Sequence, residues 1–160
     1  MNNQPQKIID TGRRNALKAA GVGVLAIAGA SLTANVAQAT PEEVATALAK
    51  LTGGVTPQSG KITLKLPEIA ENGASVPVTL IVDSPMTADN YVKQIHLLAE
   101  GNPTPEVVSF YLTPAAGKAD ISTRMRLGQT QKVVAAAVMS DGSVYSTSKE
   151  VKVTIGGCGG

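Results

Sequence analysis

The chain has 160 residues, with 14 Lys and Arg, 12 Asp and Glu, one histidine, one cysteine and no tryptophan. It contains no basic cluster interleaved with aromatic residues, and so it lacks the electrostatic and stacking surface that nucleic-acid binding requires. A single histidine is too few for a metal cluster or for a Ser-His-Asp arrangement. We therefore predict no nucleic-acid partner, no metal and no other cofactor.

Residues 1–39 have the pattern of an export signal. A polar start with Arg13 and Arg14 precedes a weakly apolar stretch at 19–32, and Ala37–Ala39 forms a small-x-small cleavage site. The arginine pair resembles the twin-arginine signal, which exports proteins that have already folded. The alternative of a membrane anchor is disfavoured, because a bilayer span needs roughly 20 apolar residues.

Removing the predicted signal changes the charge balance of the chain. The first 39 residues hold four basic groups and one acidic group, so the chain from Thr40 onward has ten basic and eleven acidic residues and a net charge of −1. This remainder suffices for one domain with one core and is too short for two. We predict three parts: an export signal at 1–39, a helix plus β-sandwich domain at 40–155, and a tail at 156–160.

A helix is predicted directly after the signal. Thr40, Pro41 and Glu43 supply a cap, a proline at the first helical position and the glutamate of a capping box. Apolar residues then recur at helical spacing until the glycine pair at 53–54. We expect one amphipathic helix of about 11 residues, which packs against the main domain or a partner.

From residue 60 onward the apolar residues alternate with a period of two, and turn residues recur at intervals of about ten. Seven runs predict strands: Ile62–Leu66, Val76–Val82, Tyr91–Leu98, Glu106–Leu112, Ala119–Leu127, Gln131–Met139 and Ser143–Ile155. This pattern predicts an all-β fold, an immunoglobulin-like antiparallel β-sandwich. The third run also fits a helix. Pro77 favours an edge strand or the first residues of a strand, because proline cannot donate a ladder hydrogen bond.

Five further side chains in the predicted domain have a candidate functional or structural role: two arginines, one histidine and two methionines. Arg124 and Arg126 share one face of a strand and could form a partner-docking or anion-binding patch, with an ordinary solvated face as the alternative. His96 is interpreted as an ordinary polar surface or core residue. Met125 and Met139 lie in strand-like runs and are interpreted as core residues.

The last strand leads into a tail with a single reactive side chain, the thiol of Cys158. We expect Val151, Val153 and Ile155 to anchor one side of that strand in the core. The five residues beyond it reach at most about 17 Å. Flexibility without bulk beside the sulfur comes from four glycines: Gly156, Gly157, Gly159 and Gly160.

Because Cys158 is the only cysteine, it cannot form an internal disulfide in an oxidising compartment. It must stay free, pair between chains or carry a covalent adduct. A cysteine thiol normally has a pKa near 8.5 and is a weak nucleophile without an activating neighbour, so partner enzymes would have to supply the catalytic groups.

A covalent carrier is the favoured interpretation of this cysteine. A structural protein cross-linked through Cys158 and a thiol retained by accident are the alternatives, but an exposed free thiol is prone to oxidation. A ubiquitin-like use of the terminal carboxylate would need ATP, which export makes inaccessible.

Several segments together resemble the SoxY family. They are the tail GGCGG after KVTIGG, the stretches AENGASVPV, DSPMTADNYVKQIHLLAEGNPTPEVVSF and ISTRMRLGQTQKVVAAA, and the twin-arginine signal. SoxY proteins are the sulfur-carrier subunits of the bacterial periplasmic thiosulfate-oxidising (Sox) system. The resemblance implies an immunoglobulin-like, non-enzymatic carrier in the periplasm whose Cys158 holds sulfur intermediates on a swinging arm.

The resemblance also implies a set of partners. A small SoxZ-type subunit would form a heterodimer with this chain, and a haem c cytochrome complex would join thiosulfate to the thiol. A dimanganese hydrolase would release sulfate, and a sulfane dehydrogenase, where present, would oxidise the remaining sulfur. After signal cleavage no membrane contact is expected.

Overall fold

A computed structural model describes residues 38–155; residues 1–37 and 156–160 lie outside the description. The described chain contains one α-helix, α1, at Pro41–Leu51, and one 3₁₀ turn at Pro114–Ala116. The strands are β1 Ile62–Lys65, β2 Ile69–Ala70, β3 Val76–Val82, β4 Val92–Ala99, β5 Glu106–Tyr111, β6 Ala119–Met125, β7 Gln131–Met139 and β8 Val144–Val153.

The strands form two sheets that pack face to face. One sheet has three strands in the order β1-β3-β6, and the other has five in the order β2-β8-β7-β4-β5. All neighbouring strands are antiparallel except β2, which pairs parallel to β8. The predicted immunoglobulin-like β-sandwich with a short helix before it is thereby confirmed.

The main core lies between the two sheets. It is built from alternate residues of the central strands, and its fully buried members include Leu80 of β3, Ile95 and Leu97 of β4, and Val133 of β7. Met125 and Met139 are 4% and 1% exposed and belong to the same core, as predicted. Each strand contributes every second side chain to this layer, and burial of that apolar surface is the main stabilising term.

The outer face of the five-stranded sheet is also covered in part. Helix α1 contacts β4, and Val44 is its one buried residue. On β4, His96 and Leu98 alternate with the main-core residues and are nevertheless 1% and 0% exposed. This strand is therefore buried on both faces, which weakens the polar-apolar alternation in its sequence. The two-sided burial explains why the run fitted both a strand and a helix, and the structure resolves it as a strand.

One expectation about the strands needs correction, and one is met by the second of its two alternatives. The described residues contain eight strands and not seven, because the two-residue strand β2 was not predicted. Pro77 is among the first residues of a strand, as one of the two predicted alternatives has it, and that strand, β3, is the central one of its sheet. It is tolerated as the second residue of β3 because the pairing of β1 with β3 reaches only to Thr79, so that at Pro77 the strand pairs with β6 alone.

Helix α1 begins as the capping signals predict. The side chain of Thr40 accepts a hydrogen bond from the Glu43 amide at 3.2 Å, and the Thr40 amide donates to Glu43 Oε2 at 2.9 Å. After Leu51 the chain leaves the helix through Gly53 and Gly54, whose φ angles are +67° and +79°. Glycine is favoured there because other residues pay a steric cost at positive φ.

Removing the cap should weaken the start of this helix. We expect Thr40→Ala to lower the free energy of unfolding by about 1 kcal/mol, measured by urea denaturation and by amide hydrogen exchange in the first turn of α1. Thr46→Ala is the matched control, because the hydroxyl of Thr46 bonds only to the helix carbonyl of Glu42 among the described residues, and alanine is the better helix former there. Equal losses from both substitutions would contradict this account.

Candidate functional site at the end of the last strand

Strand β8 is held by two different partners along its length. Its pairing with β7 ends at Val151, which lies opposite Gln131. Beyond that point β8 pairs with the segment around β2. The amide of Lys152 donates to Glu68 O at 2.9 Å, and the amide of Thr154 donates to Ala70 O at 3.1 Å. The backbone of the last strand is therefore tied down for three residues after its antiparallel partner has ended.

Three hydrogen bonds fix the final described residues. The carbonyl oxygen of Ile155 accepts a hydrogen bond from the Gly73 amide at 2.8 Å. The hydroxyl of Thr130 accepts from the Val153 amide at 2.9 Å, and the hydroxyl of Thr154 donates to Glu71 O at 2.9 Å. We call residues 153–155 with these contacts the arm root, because they hold the backbone from which the tail continues.

The expected anchoring by alternate side chains is only partly correct. Val151 is fully buried and Val153 is half-buried, but Ile155 is 65% exposed. Ile155 lies two residues beyond the end of β8. The last apolar anchor is thus Val153, and Ile155 is held by its backbone alone.

The tail residues themselves lie outside the described residues. These are the predicted sulfur-carrying Cys158 and the four glycines of the arm, Gly156, Gly157, Gly159 and Gly160. Their roles, the tail at 156–160 and the export signal at 1–39 stay predictions.

Arg124 lies close to the arm root. It is exposed on the outer face of the three-stranded sheet, opposite Pro77, and its Nη1 lies 3.3 Å from Ser75 Oγ and 3.4 Å from Ser75 O. Ser75 is two residues from Gly73, which binds Ile155 O. Two residues of backbone span about 7 Å, so the guanidinium lies within roughly 14 Å of the arm root.

Arg126 is exposed beyond the end of β6. Its carbonyl accepts a hydrogen bond from Asn102 Nδ2 at 2.9 Å, and the next amide, that of Leu127, donates to Gly73 O at 2.8 Å. The structure therefore places both arginines beside the loop that carries the arm root, without a hydrogen bond from either to Ile155. Docking and anion binding at this patch stay predictions.

Some residues that build the arm root were not found by sequence reasoning. The sequence pattern gives no role to Glu71–Gly73, to β2 or to Thr130. Nothing local in the sequence connects them to the last strand, because each contact joins residues more than 20 positions apart in the chain. Only the fold brings them together.

His96 is a core residue, in agreement with its interpretation. Its Nδ1 lies 2.7 Å from Ser109 Oγ and its Nε2 lies 3.2 Å from Gln94 Oε1, while the Ser109 hydroxyl donates to Glu106 Oε1 at 2.8 Å. Burial lowers the pKa of His96 from its ordinary value, and the nearby Glu106 carboxylate partly opposes that shift.

Among residues 38–155 no group of three or more His, Cys, Asp and Glu side chains could hold a metal ion. Within the same residues no helix is long and apolar enough to cross a membrane.

Comparison with known proteins identifies the family. The family model described as sulfur oxidation protein SoxY matches residues 48–158. The chain belongs to the SoxY family. The match ends at Cys158, the residue singled out in the tail.

A solved SoxY structure supports the same assignment. The sulfur carrier protein SoxY from Chlorobium limicola f thiosulfatophilum is 36% identical to this chain, with a TM-score of 0.61 over 71% of this chain and 98% of that one. No curated protein sequence matches the chain.

Other solved structures share the SoxY fold alone. A superoxide reductase (neelaredoxin) from Ignicoccus hospitalis is 19% identical, with a TM-score of 0.53 over 72% of this chain and 94% of that one. A putative superoxide reductase from Thermotoga maritima is 15% identical, with a TM-score of 0.52 over 62% of this chain and 93% of that one. At these identities the likeness concerns only the arrangement of the strands.

Protonation of His96 should make the stability of this SoxY-family domain depend on pH. Its pKa is lower in the folded state than the ordinary 6.5, so below pH 6.5 the unfolded chain binds a proton that the folded chain does not. Stability contributed by the neutral imidazole is then lost as the pH falls, at no more than about 1.4 kcal/mol per pH unit.

We expect urea denaturation at pH 7.5, 6.5 and 5.5 to show this loss in the wild type and a flatter dependence in His96→Gln. Because the chain has one histidine, the difference between the two curves reports on this side chain. Parallel curves would contradict the account.

Proposed function

We propose that this SoxY-family protein is a covalent carrier that holds thiosulfate-derived sulfur on Cys158 during oxidation to sulfate. The observation that carries the proposal is the family match over residues 48–158, which includes the cysteine. The structural likeness to a sulfur carrier protein at 36% identity supports it.

The arm root gives this proposal a physical basis. The chain is held to the domain as far as Ile155 by backbone hydrogen bonds, and five residues remain beyond it. A glycine pair on each side of Cys158 provides free backbone rotation and no side chain beside the sulfur. In this proposal the domain at 40–155 presents the tail at 156–160 as a swinging arm of about 17 Å.

The chemistry of loading requires an external electron acceptor. Joining thiosulfate to the thiol forms a sulfur-sulfur bond, releases one proton and removes two electrons, which a haem c cytochrome complex would accept. The product is a Cys158 S-thiosulfonate. Attack of water on the terminal sulfur then releases sulfate and two protons and leaves a persulfide on the cysteine, a step for a dimanganese hydrolase.

In this proposal the protein is a substrate carrier and not an enzyme. A SoxZ-type subunit forms a heterodimer with it, and a sulfane dehydrogenase, where the host has one, oxidises the persulfide sulfur. The twin-arginine signal at 1–39 directs the chain to the periplasm, where these steps take place.

The patch formed by Arg124 and Arg126 is proposed as a docking surface for the partner enzymes. It lies beside the loop at 72–75 that holds the arm root, so a partner bound there would have the cysteine within the reach of the arm. Arg124 also lines a groove of about 560 Å³ together with Pro77, Thr79 and Ser122, and its exposed guanidinium suits an acidic rim on a partner.

A cysteine substitution tests the carrier role. We expect Cys158→Ser to abolish sulfate production from thiosulfate in the reconstituted system while the melting temperature stays unchanged, since the substitution is small and the glycines around it have no side chains to bury. Intact mass of the wild-type protein after incubation with thiosulfate and the cytochrome complex should show sulfur-oxygen adducts that a reductant removes.

The same measurement separates the carrier from its alternative, a structural sandwich dimerised through Cys158. That alternative predicts only a disulfide-linked dimer in the mass spectrum. Normal sulfate production by Cys158→Ser would rule out the carrier role.

Charge reversal tests the docking patch. We expect Arg124→Glu to lower the kcat/KM of the partner enzymes by roughly 10-fold at low salt and by less at high salt, because exposed charges are screened. Lys65→Glu, on the same sheet face, is the matched control and should have the smaller effect. Equal effects of the two substitutions would show that only overall charge matters.

A further inference from the structure

The predicted cleavage site is bound to the folded domain. The Ala39 amide donates to the carbonyl oxygen of Asn102 at 2.8 Å, and Ala39 is 5% exposed. Before it, the side-chain amides of Gln38 and Gln129 pair reciprocally, at 3.2 Å and 3.0 Å. After it, Thr40 is fixed in the capping box of α1 with Glu43.

The acceptor for Ala39 is itself held firmly. Asn102 Oδ1 accepts from the Gly128 amide at 3.2 Å and from Gln131 Nε2 at 3.0 Å, and its Nδ2 donates to Arg126 O. Gln131 is buried, and its Oε1 accepts from the Gly101 amide at 2.7 Å. The Ala39 amide thus binds to a part of the fold that many hydrogen bonds keep in place.

A peptidase binds its substrate as an extended strand and needs the backbone on both sides of the scissile bond. Residues 38–40 cannot satisfy that need while Ala39 is buried and Thr40 caps a helix. We propose that the folded domain shields its own Ala39–Thr40 bond, and that removal of the signal requires local opening of residues 38–40, which we call the strap. This inference rests on the proposed export of the chain.

The shielding matters because of the export route. A twin-arginine substrate is folded before it crosses the membrane, so the peptidase meets the strap already closed. Cleavage then proceeds through a minor, locally opened form, and its rate follows the population of that form when closing is fast. The rate at which the folded precursor loses its signal therefore depends on this domain as well as on the peptidase.

The cleaved product can keep its helix start. The backbone nitrogen of Thr40 lies 2.9 Å from Glu43 Oε2 before cleavage. The α-ammonium group formed at Thr40 would remain beside that carboxylate as an ion pair. Cleavage therefore removes the hydrogen bonds of Ala39 and Gln38 to the domain, and the capping box of α1 remains.

The test is cleavage of the purified full-length precursor by signal peptidase in detergent, followed by intact mass. Gln129→Ala removes the partner of Gln38 but lies about 90 residues from the scissile bond, so it cannot alter the sequence that the peptidase reads. Loss of one hydrogen-bonded pair should raise the opening constant, and hence the cleavage rate, about fivefold.

Asn90→Ala is the matched control and should leave the rate unchanged, since among the described residues the Asn90 side-chain amide makes no hydrogen bond. Wild-type precursor unfolded in urea and diluted into the assay should be cleaved faster than the folded precursor. Amide hydrogen exchange should show Ala39 protected in the wild type and less protected in Gln129→Ala.

Equal rates for folded wild type, Gln129→Ala and freshly diluted precursor would overturn the shielding while leaving the cleavage position intact. An unprotected Ala39 amide would also overturn it. If the diluted precursor is not cleaved at Ala39–Thr40, both the predicted cleavage position and the shielding are wrong. The carrier role of Cys158 does not depend on this result and is tested separately by Cys158→Ser.

Discussion

The course of the chain up to the proposed carrier tail depends on the hydrogen bonds that hold β8 after β7 has ended. Val151 is the last residue of β8 paired with β7, and without further partners the following backbone groups would be free. The parallel strand β2 and the Gly73 amide instead bind the chain as far as Ile155. Backbone pairing therefore holds the described chain up to four residues beyond its last fully buried side chain. For the proposed carrier this anchoring would limit the length of the arm, because a longer free segment would spread the cysteine over a larger volume and lower its effective concentration at a docked partner.

The loop between β6 and β7 connects the two ends of the described chain. Leu127 donates to the carbonyl of Gly73 in the loop that holds the arm root, and Thr130 accepts from the Val153 amide. Between them, Gln129 pairs with Gln38 in the strap. This one short loop thus contacts both the segment before α1 and the end of β8. The strap and the arm root therefore lie at the same end of the sandwich. Arg126 belongs to this loop and Arg124 lies just before it, which gives the proposed docking patch, the strap and the arm root a common structural support.

The elements found from the sequence are those whose signals are local. The capping box of α1 uses residues three positions apart. In the alternating strands, the order of apolar and polar residues shows directly which face is buried and which is exposed. Strand β4 was ambiguous because His96 and Leu98 are buried on the helix side while Ile95 and Leu97 are buried in the main core. Strand β2 was missed because two residues carry no periodicity, and its pairing with β8 joins positions more than 80 residues apart. Ile155 was expected in the core because it continues the alternation of β8, but the strand ends at Val153 and Ile155 is exposed.

By itself, the sequence determined the fold class, the start of the helix and most strands, and it singled out Cys158 as the candidate sulfur carrier. Each of these follows from short-range patterns or from the presence of a single cysteine. Only the tertiary structure decided which residues hold the chain up to Ile155, that Arg124 lies near them, and that Ala39 is buried before the helix. The reason is physical: these features are made by hydrogen bonds and burial between segments far apart in the chain, and such contacts have no signature in either segment alone.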